Sequence, residues 1–425
     1  MSKLELISLM VTTAAVFGWV SRRWLKLPIT IGTMLLTVIA SLILLAISAG
    51  HPAVHTWATG LVGAIDFENL ILHGMLPLLL FAGSFLLDLE ALGREKLLVT
   101  LLSLPGTLLA AAASAGLMGL LLPAIGLHTT WLACLFFGAL ISPTDPIAVL
   151  ELLRRVGVPR NIQAQLAGES LFNDGVGAVL FIALLEASRG TQPTFVDVAG
   201  FLILKAGGGL ILGIALAWIA SSLMRAVDAY QVEILMTIAL ALGGYALAER
   251  LSISAPLEAV AAGIALRRFN LNHRHAEIAH ESLDRFWEVI DEVQNAVLFV
   301  LLGLMLLAIP FSGLALRSGG VAIVAVTLVR FATVAFIVGV MRTIEPGYLS
   351  SIRTLSWGGL RGGLSLALAL AVPLQQGRNW ILVATYSVVL FSIVVQGGSM
   401  DVMLGKLKIK RPRVKDKEIR SKEPA

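Results

Sequence analysis

The sequence predicts an all-α polytopic membrane protein of about 13 spans, and three observations carry that reading. Hydrophobic residues make up 57% of the 425-residue chain and charged residues only 14%, with a mean hydropathy of +0.88. Average soluble domains hold about 25% charged residues, so this excess has no place in a soluble core. The apolar residues come in runs of about 20, the length an α-helix needs to cross a bilayer. Finally, the basic residues alternate sides from one inter-run loop to the next, which is the asymmetry that orients spans.

Taken in order, the predicted span cores are 4–21, 28–48, 69–88, 97–123, 131–151, 162–186, 195–224, 231–249, 255–267, 284–309, 318–342, 354–373 and 379–402. The first is too long for a cleavable signal, and Ser21-Arg22-Arg23 follows where small cleavage residues belong. The ninth is short, and the eighth and ninth are the pair whose separation is least secure. Loops after odd-numbered spans, with the tail, hold 24 of the 32 basic residues, and the opposite side holds five. The positive-inside rule then puts the N-terminus outside and the C-terminus in the cytoplasm, which an odd number of spans satisfies. Residues 403–425 are a charged cytoplasmic tail able to touch anionic lipid. The net charge of +5 sits at span ends and in this tail rather than in a groove-like patch, so nucleic acid is not a partner. Cys134 is the only cysteine, which excludes an intrachain disulfide.

Spans 1–6 and 8–13 have the opposed orientations of inverted repeats around a lone seventh, which makes the fifth and twelfth equivalent. Both are interrupted: the fifth by Pro143 and Pro146, the twelfth by Gly358, Gly359, Gly362 and Gly363 around Arg361. Interrupted helices at matching positions of two halves point to a midplane transport site. The alternative is that membrane helices are simply rich in Gly and Pro.

Two polar islands lie in the fifth and sixth spans, Ser142-Pro143-Thr144-Asp145-Pro146 and Gly168-Glu169-Ser170-Leu171-Phe172-Asn173-Asp174-Gly175. A carboxylate at the bilayer centre costs about 2.5–3.5 kcal/mol on insertion scales, so three of them point to a cation or a proton. The two prolines remove backbone donors and restrict their predecessors, leaving Thr144-Asp145 unwound with carbonyl oxygens free. Ser170 and Asp174 are i,i+4 and share a helix face, as do Glu169 and Asn173 on the adjoining face. Asp174, Asp145, Ser170 and the Thr144 carbonyl thus make a hard oxygen set suited to a hard, poorly polarisable cation, and no His or Cys lies nearby for a transition metal. The competing readings are a structural proline kink and an internally paired polar contact.

Arg361 needs a buried partner, and Glu169 is the candidate; snorkelling to the interface is the alternative. Lys205 and Arg330 lie near span centres and read as packing or lipid-facing. Asp284, Glu288, Asp291, Glu292 and Asn295 follow helical spacing in the tenth span. They either line an acidic funnel or are a solvated helix end, and the sequence does not choose. His273, His275 and His280 sit in a basic cytoplasmic loop and read as solvated loop residues; a role in titrating near neutral pH is the alternative.

Together the two acidic motifs and the Gly-flanked Arg361 resemble the monovalent cation/proton antiporters, in particular the electroneutral NhaP-type sodium/proton exchangers. That resemblance implies crossed, discontinuous helices 5 and 12. It also implies a transmembrane antiporter domain over 1–402, with a core bundle including 69–186 and 284–402. A dimerisation scaffold including 1–48 and 195–267 and a homodimer follow from it as well. It implies Na+ bound at Asp174, Asp145, Ser170 and Thr144, assisted by Glu169, with Asn173 and Arg361 stabilising the site. The Asn173-Asp174 pair resembles the electroneutral branch.

The function expected is secondary-active exchange of Na+, or Li+, for H+, with cation and proton competing for Asp174 under alternating access. A K+/H+ antiporter with the same site is the alternative. A cation channel lacks a filter sequence, and an intramembrane enzyme lacks a nucleophile–base pair or metal cluster. No nucleotide loop is present, so no cofactor is expected. The expected location is a bacterial inner membrane.

Overall fold

Inside a bilayer the backbone must bond to itself, which leaves the helix as the local solution for an apolar run. The computed structural model describes residues 3–48, 65–145, 158–188, 195–227, 229–271, 277–307, 312–341 and 351–400, with isolated positions between them. Almost all of these are helical. The helices are α1 Lys3–Val20, α2 Ile29–Ser48, α3 Leu70–Phe85, α4 Leu89–Ile125, α5 Trp131–Ile141, α6 Arg160–Ala187 and α7 Phe195–Met224. They continue with α8 Tyr230–Arg250, α9 Ala255–Leu271, α10 Glu277–Leu304, α11 Gly313–Met341, α12 Ile352–Gly358, α13 Gly363–Ala371 and α14 Arg378–Phe391. Every predicted span falls on one of these, the twelfth on the separate pieces α12 and α13. Among the described residues nine helices are long and apolar enough to cross a membrane, with Leu70–Phe85 and Trp131–Ile141 as shorter apolar helices.

Local chemistry sets the helix ends. Asp88 starts α4 by accepting from the N–H groups of Glu90 and Ala91 at 3.2 and 3.0 Å. Thr130 starts α5 by accepting from Ala133 N–H at 3.1 Å; both are N-caps that satisfy orphan donors. The insecure pair, α8 and α9, is resolved by a turn through Ser252, which sits at φ 57°. Inside α4 the stretch Leu102–Gly106 opens into a π-turn around Pro105, because proline cannot continue the regular bonding pattern. A second π-turn, Ser392–Gly397, extends α14.

Both predicted breaks are present, and they meet. Helix α5 stops at Ile141, and α12 and α13 are separated by Gly359–Gly362. Asp145 forms an antiparallel bridge with Leu360, its N–H donating to the Leu360 carbonyl at 2.8 Å. The two half-unwound segments therefore satisfy each other's backbone in the interior, the condition under which irregular backbone survives at membrane depth.

Packing around the crossing is dense. One apolar cluster includes Met34, Phe136, Phe137 and Phe299, all fully buried. A second joins α3, α7, α8, α9 and α10 around Phe81, Phe85 and Trp287. Trp287 is 4.8 Å from Phe81 by ring centroids, and its indole N–H donates to Thr237 Oγ1 at 3.1 Å. A buried Trp that finds such an acceptor keeps its apolar gain without an unpaired donor. The outer face of α7, with Ile203, Leu204, Ile211 and Trp218 exposed, is apolar as a lipid-facing side requires.

Candidate functional site

The unwound end of α5 is held against α6 by a fixed set of hydrogen bonds. Thr144 N–H donates to Asn173 Oδ1 at 3.1 Å, and Asn173 Nδ2 donates to Thr144 Oγ1 at 2.9 Å. Since a backbone N–H can only donate, it sets which way the Asn173 amide points. Thr144 Oγ1 also shares a 2.8 Å hydrogen bond with Ser170 Oγ. Thr144, Ser170 and Asn173 are each at most 2% exposed, so the hydrogen bonds that join them are buried.

Asp145 and Asp174 differ from these in being half-buried, and both line one cavity together with Thr144 and Ser170. Asp145 lies against Gly362, the residue before the first turn of α13: a Cβ on Gly362 would collide with the Asp145 carboxylate. No side chain caps α13, so its free N–H groups and positive dipole end face a carboxylate, a favourable pairing.

Glu169 departs from the sequence expectation. Its carboxylate pairs with Arg330 of α11, not with Arg361: Arg330 Nη1 donates to Oε1 and Nη2 to Oε2, the latter at 2.8 Å. Arg330 Nη2 also donates to the Leu355 carbonyl at 2.8 Å. Arg330, read from sequence as packing or lipid-facing, is instead 8% exposed and faces the interior. The physical reason lies in the glycine break. Gly359 leaves open the space that the Arg330 guanidinium occupies, and the Arg361 backbone is tied elsewhere, its N–H donating to Ser392 Oγ at 3.0 Å. The Arg361 side chain bends back toward its own segment, Nη1 donating to the Gly359 carbonyl at 3.4 Å. Arg361 is buried rather than snorkelling.

The cavity that Asp145 and Asp174 line has a volume of about 700 Å³. It runs to the face that carries Arg22, Asp88 and Arg160, at the ends of α1, α3 and α6 to which the basic loops attach, and Glu288 in the first half of α10. Of the α10 polar residues, Glu288, Asp291, Glu292 and Asn295 line it. Asp284 does not, being paired with Arg267 of α9. Lys205 is half-buried, and its carbonyl accepts from Ser254 N–H at 3.0 Å. Pro146, His273, His275, the His280 side chain and 404–425 lie outside the described residues. Among the described residues no group of three His, Cys, Asp or Glu side chains is arranged to hold a metal. Sequence reasoning missed Arg330, Ser392 and the Leu360 carbonyl. Only the mid-span position of Arg330 carried a signal, since a cation there requires an acidic partner.

Two interrupted helices crossing beside paired carboxylates, at the end of an open cavity, define a secondary-transporter fold. A family model described as sodium/hydrogen exchanger, transmembrane, matches residues 11–406, and the chain belongs to that family. It is 38% identical over 415 residues to the Na(+)/H(+) antiporter NhaP of Pseudomonas aeruginosa, covering 96% of this chain and 98% of that protein. It is 33% identical over 351 residues to the Na(+)/H(+) antiporter NhaH of Halobacillus dabanensis, covering 80% of this chain and 84% of that one. Its fold is similar to that of the sodium proton antiporter MjNhaP1 from Methanocaldococcus jannaschii, with a TM-score of 0.76 at 20% identity over 96% of this chain and 99% of that one.

Proposed function

We propose that this integral membrane protein exchanges one Na+ for one H+, with Asp174 as the competitive carrier. Sodium is preferred over potassium because the relatives at 38% and 33% identity are both named Na(+)/H(+) antiporters. One observation carries the stoichiometry: Arg330 neutralises Glu169, which leaves Arg361 to balance one of the two carboxylates at the helix breaks, Asp145 and Asp174. Asp145, Asp174 and Arg361 together carry one net negative charge, and a single Na+ or a single proton cancels it. Both loaded forms are then near neutral and pass a low-dielectric barrier, while the empty form is held back by the cost of a bare buried charge.

The ion is bound by Asp174, Asp145, Ser170 and the Thr144 carbonyl, with Asn173 holding the Thr144 segment. The cycle needs no nucleotide or other cofactor. The cavity mouth lies on the side of the basic loops, which supports an inward-facing form, with the N-terminus outside and the protein in a bacterial inner membrane. The core bundle moves against a scaffold that includes α1, α2 and α7–α9, and two copies pair through that scaffold. Cross-linking in native membranes checks the pairing; a chain that stays monomeric there contradicts it.

The test of the transport reading is dequenching of a pH-sensitive dye in proteoliposomes on adding Na+, Li+ or K+. Wild type responds to Na+, and Asp174→Ala is silent. A response that survives Asp174→Ala removes Asp174 from the carrier role. Exchange by the wild type is indifferent to an imposed membrane voltage; voltage-driven exchange overturns the one-to-one stoichiometry.

A further inference from the structure

Along α10 the wall of the cavity changes character with depth. Glu288 and Glu292 are exposed, Asp291 is half-buried, and Asn295 is 2% exposed. All four line the same cavity as Asp145 and Asp174. Asn295 is four residues beyond Asp291 and so continues its face one turn deeper. Three residues further on, Leu298 packs against Gly363 of α13, next to the Gly362 that adjoins Asp145. From Asn295 to the end of α10 every residue is apolar or Gly, so Asn295 is the last polar side chain on this wall before the site.

Its amide oxygen also has no protein partner: at the cavity wall, Asn295 Oδ1 is buried without a hydrogen bond among the described residues. Buried side-chain acceptors are nearly always satisfied, and this one belongs to a residue that lines the ion pathway. Asn173, the other buried Asn of the site, spends both ends of its amide on Thr144.

We propose that Asn295 is an entry ligand for the transported cation, on the antiport reading above. The acids nearer the mouth, Glu288, Asp291 and Glu292, raise the local cation concentration by their charge. The Asn295 amide oxygen then takes one coordination position as the ion sheds water, before the ion reaches Asp145 and Asp174. A neutral hard oxygen suits a transit position: it replaces a water ligand without a well deep enough to hold the ion there.

The test compares Asn295→Leu, Asn295→Ala and Asn295→Asp in Na+-driven dye dequenching from proteoliposomes, with Asp174→Ala alongside. Leu keeps the volume and removes the oxygen; Asp keeps the oxygen and adds charge. Asn295→Leu and Asn295→Ala are expected to raise the apparent KM for Na+ about five-fold, with Vmax within about two-fold, the equivalent of roughly 1 kcal/mol for one neutral ligand. Asn295→Asp is expected to restore KM to the wild-type value or lower. A KM unchanged in Asn295→Leu, or a loss confined to Vmax that Asp does not rescue, overturns the proposal. If the apolar variants do not fold, Asn295→Asp carries the test, and a KM higher than wild type overturns it. Exchange that survives Asp174→Ala defeats the antiport reading itself. A silent Asp174→Ala beside an unchanged KM in Asn295→Leu defeats the entry ligand alone.

Discussion

Glu169 and Asp174 sit five residues apart on α6 and are treated in opposite ways. Glu169 is 1% exposed and gripped through both oxygens by Arg330, which also bonds the Leu355 carbonyl. That arrangement joins α6 to α11 and α12. Asp174 is half-buried and opens into the cavity opposite Asp145. The contrast separates a carboxylate that holds the core together from one placed to exchange its partner. Depth in the membrane does not distinguish them. What distinguishes them is whether a fixed cation already fills the carboxylate's hydrogen-bonding capacity.

Neutralising each acid in turn separates the two roles. Asp174→Asn is expected to abolish exchange while leaving the melting temperature of the purified protein within a degree or two of wild type. Glu169→Leu leaves Arg330 buried without its partner, which costs about 3–5 kcal/mol, and its melting temperature falls sharply. Adding Arg330→Leu to it recovers much of that loss, since replacing a buried pair by apolar groups is often near neutral. A double variant no more stable than either single one contradicts the reading of Glu169 and Arg330 as one structural unit.

The sequence carried the spans and both breaks because those signals are local: apolar run length, paired prolines, glycines around an arginine. It also carried the neighbourhood of Ser170 and Asp174, since i,i+4 spacing fixes a helix face whatever lies opposite. What it did not carry was the choice between Arg330 and Arg361 as partner of Glu169. That choice depends on which helix faces α6 across the glycine break and on Ser392, supplied by a π-turn 31 residues away. The α10 acids were ambiguous for the same reason. Asp284 finds Arg267 on α9 while its neighbours one and two turns on find the cavity, and spacing within one helix encodes neither outcome.

Two glycines of the break each serve one of the two carboxylate environments. A methyl group at Gly362 meets the Asp145 carboxylate, and one at Gly359 meets the Arg330 guanidinium. Both residues have negative φ, so neither Gly→Ala change strains the backbone, and the effect is overpacking of about 1–3 kcal/mol. Gly362→Ala is expected to act mainly on transport, raising the apparent KM for Na+. Gly359→Ala is expected to act mainly on thermal stability. Gly398→Ala, which meets nothing within 4 Å, is the control. Identical effects of the first two on both measurements argue against separate roles.

A smaller effect is expected at Asn173, which touches neither cavity carboxylate in its hydrogen bonds and acts through Thr144. Groups that orient ligands cost about 10–100-fold in affinity when removed. Asn173→Ala is therefore expected to weaken Na+ binding by about ten-fold while still supporting exchange at saturating Na+. Complete loss of exchange at every Na+ concentration moves Asn173 from a supporting place to a direct one.

The smallest effect belongs to the pair that looks most like Glu169–Arg330 on paper. Glu90 and Arg94 stand i,i+4 on α4 with Nη2 2.5 Å from Oε1, but their side chains are 80% and 75% exposed. Water already solvates both charges, and ordering two long side chains offsets most of the Coulomb gain, so such a pair contributes about 0.3–0.5 kcal/mol. Glu90→Gln is expected to leave the melting temperature and the exchange rate unchanged, and added salt is expected to make no difference to the comparison with wild type. A measurable loss of stability there means that short distance alone sets the strength of a carboxylate–guanidinium pair. The unequal roles of Glu169 and Asp174 then need a cause other than desolvation. Silence at Glu90 beside a large loss at Glu169 assigns the difference to the surroundings of each pair, the property that also leaves Asp174 free to change partners.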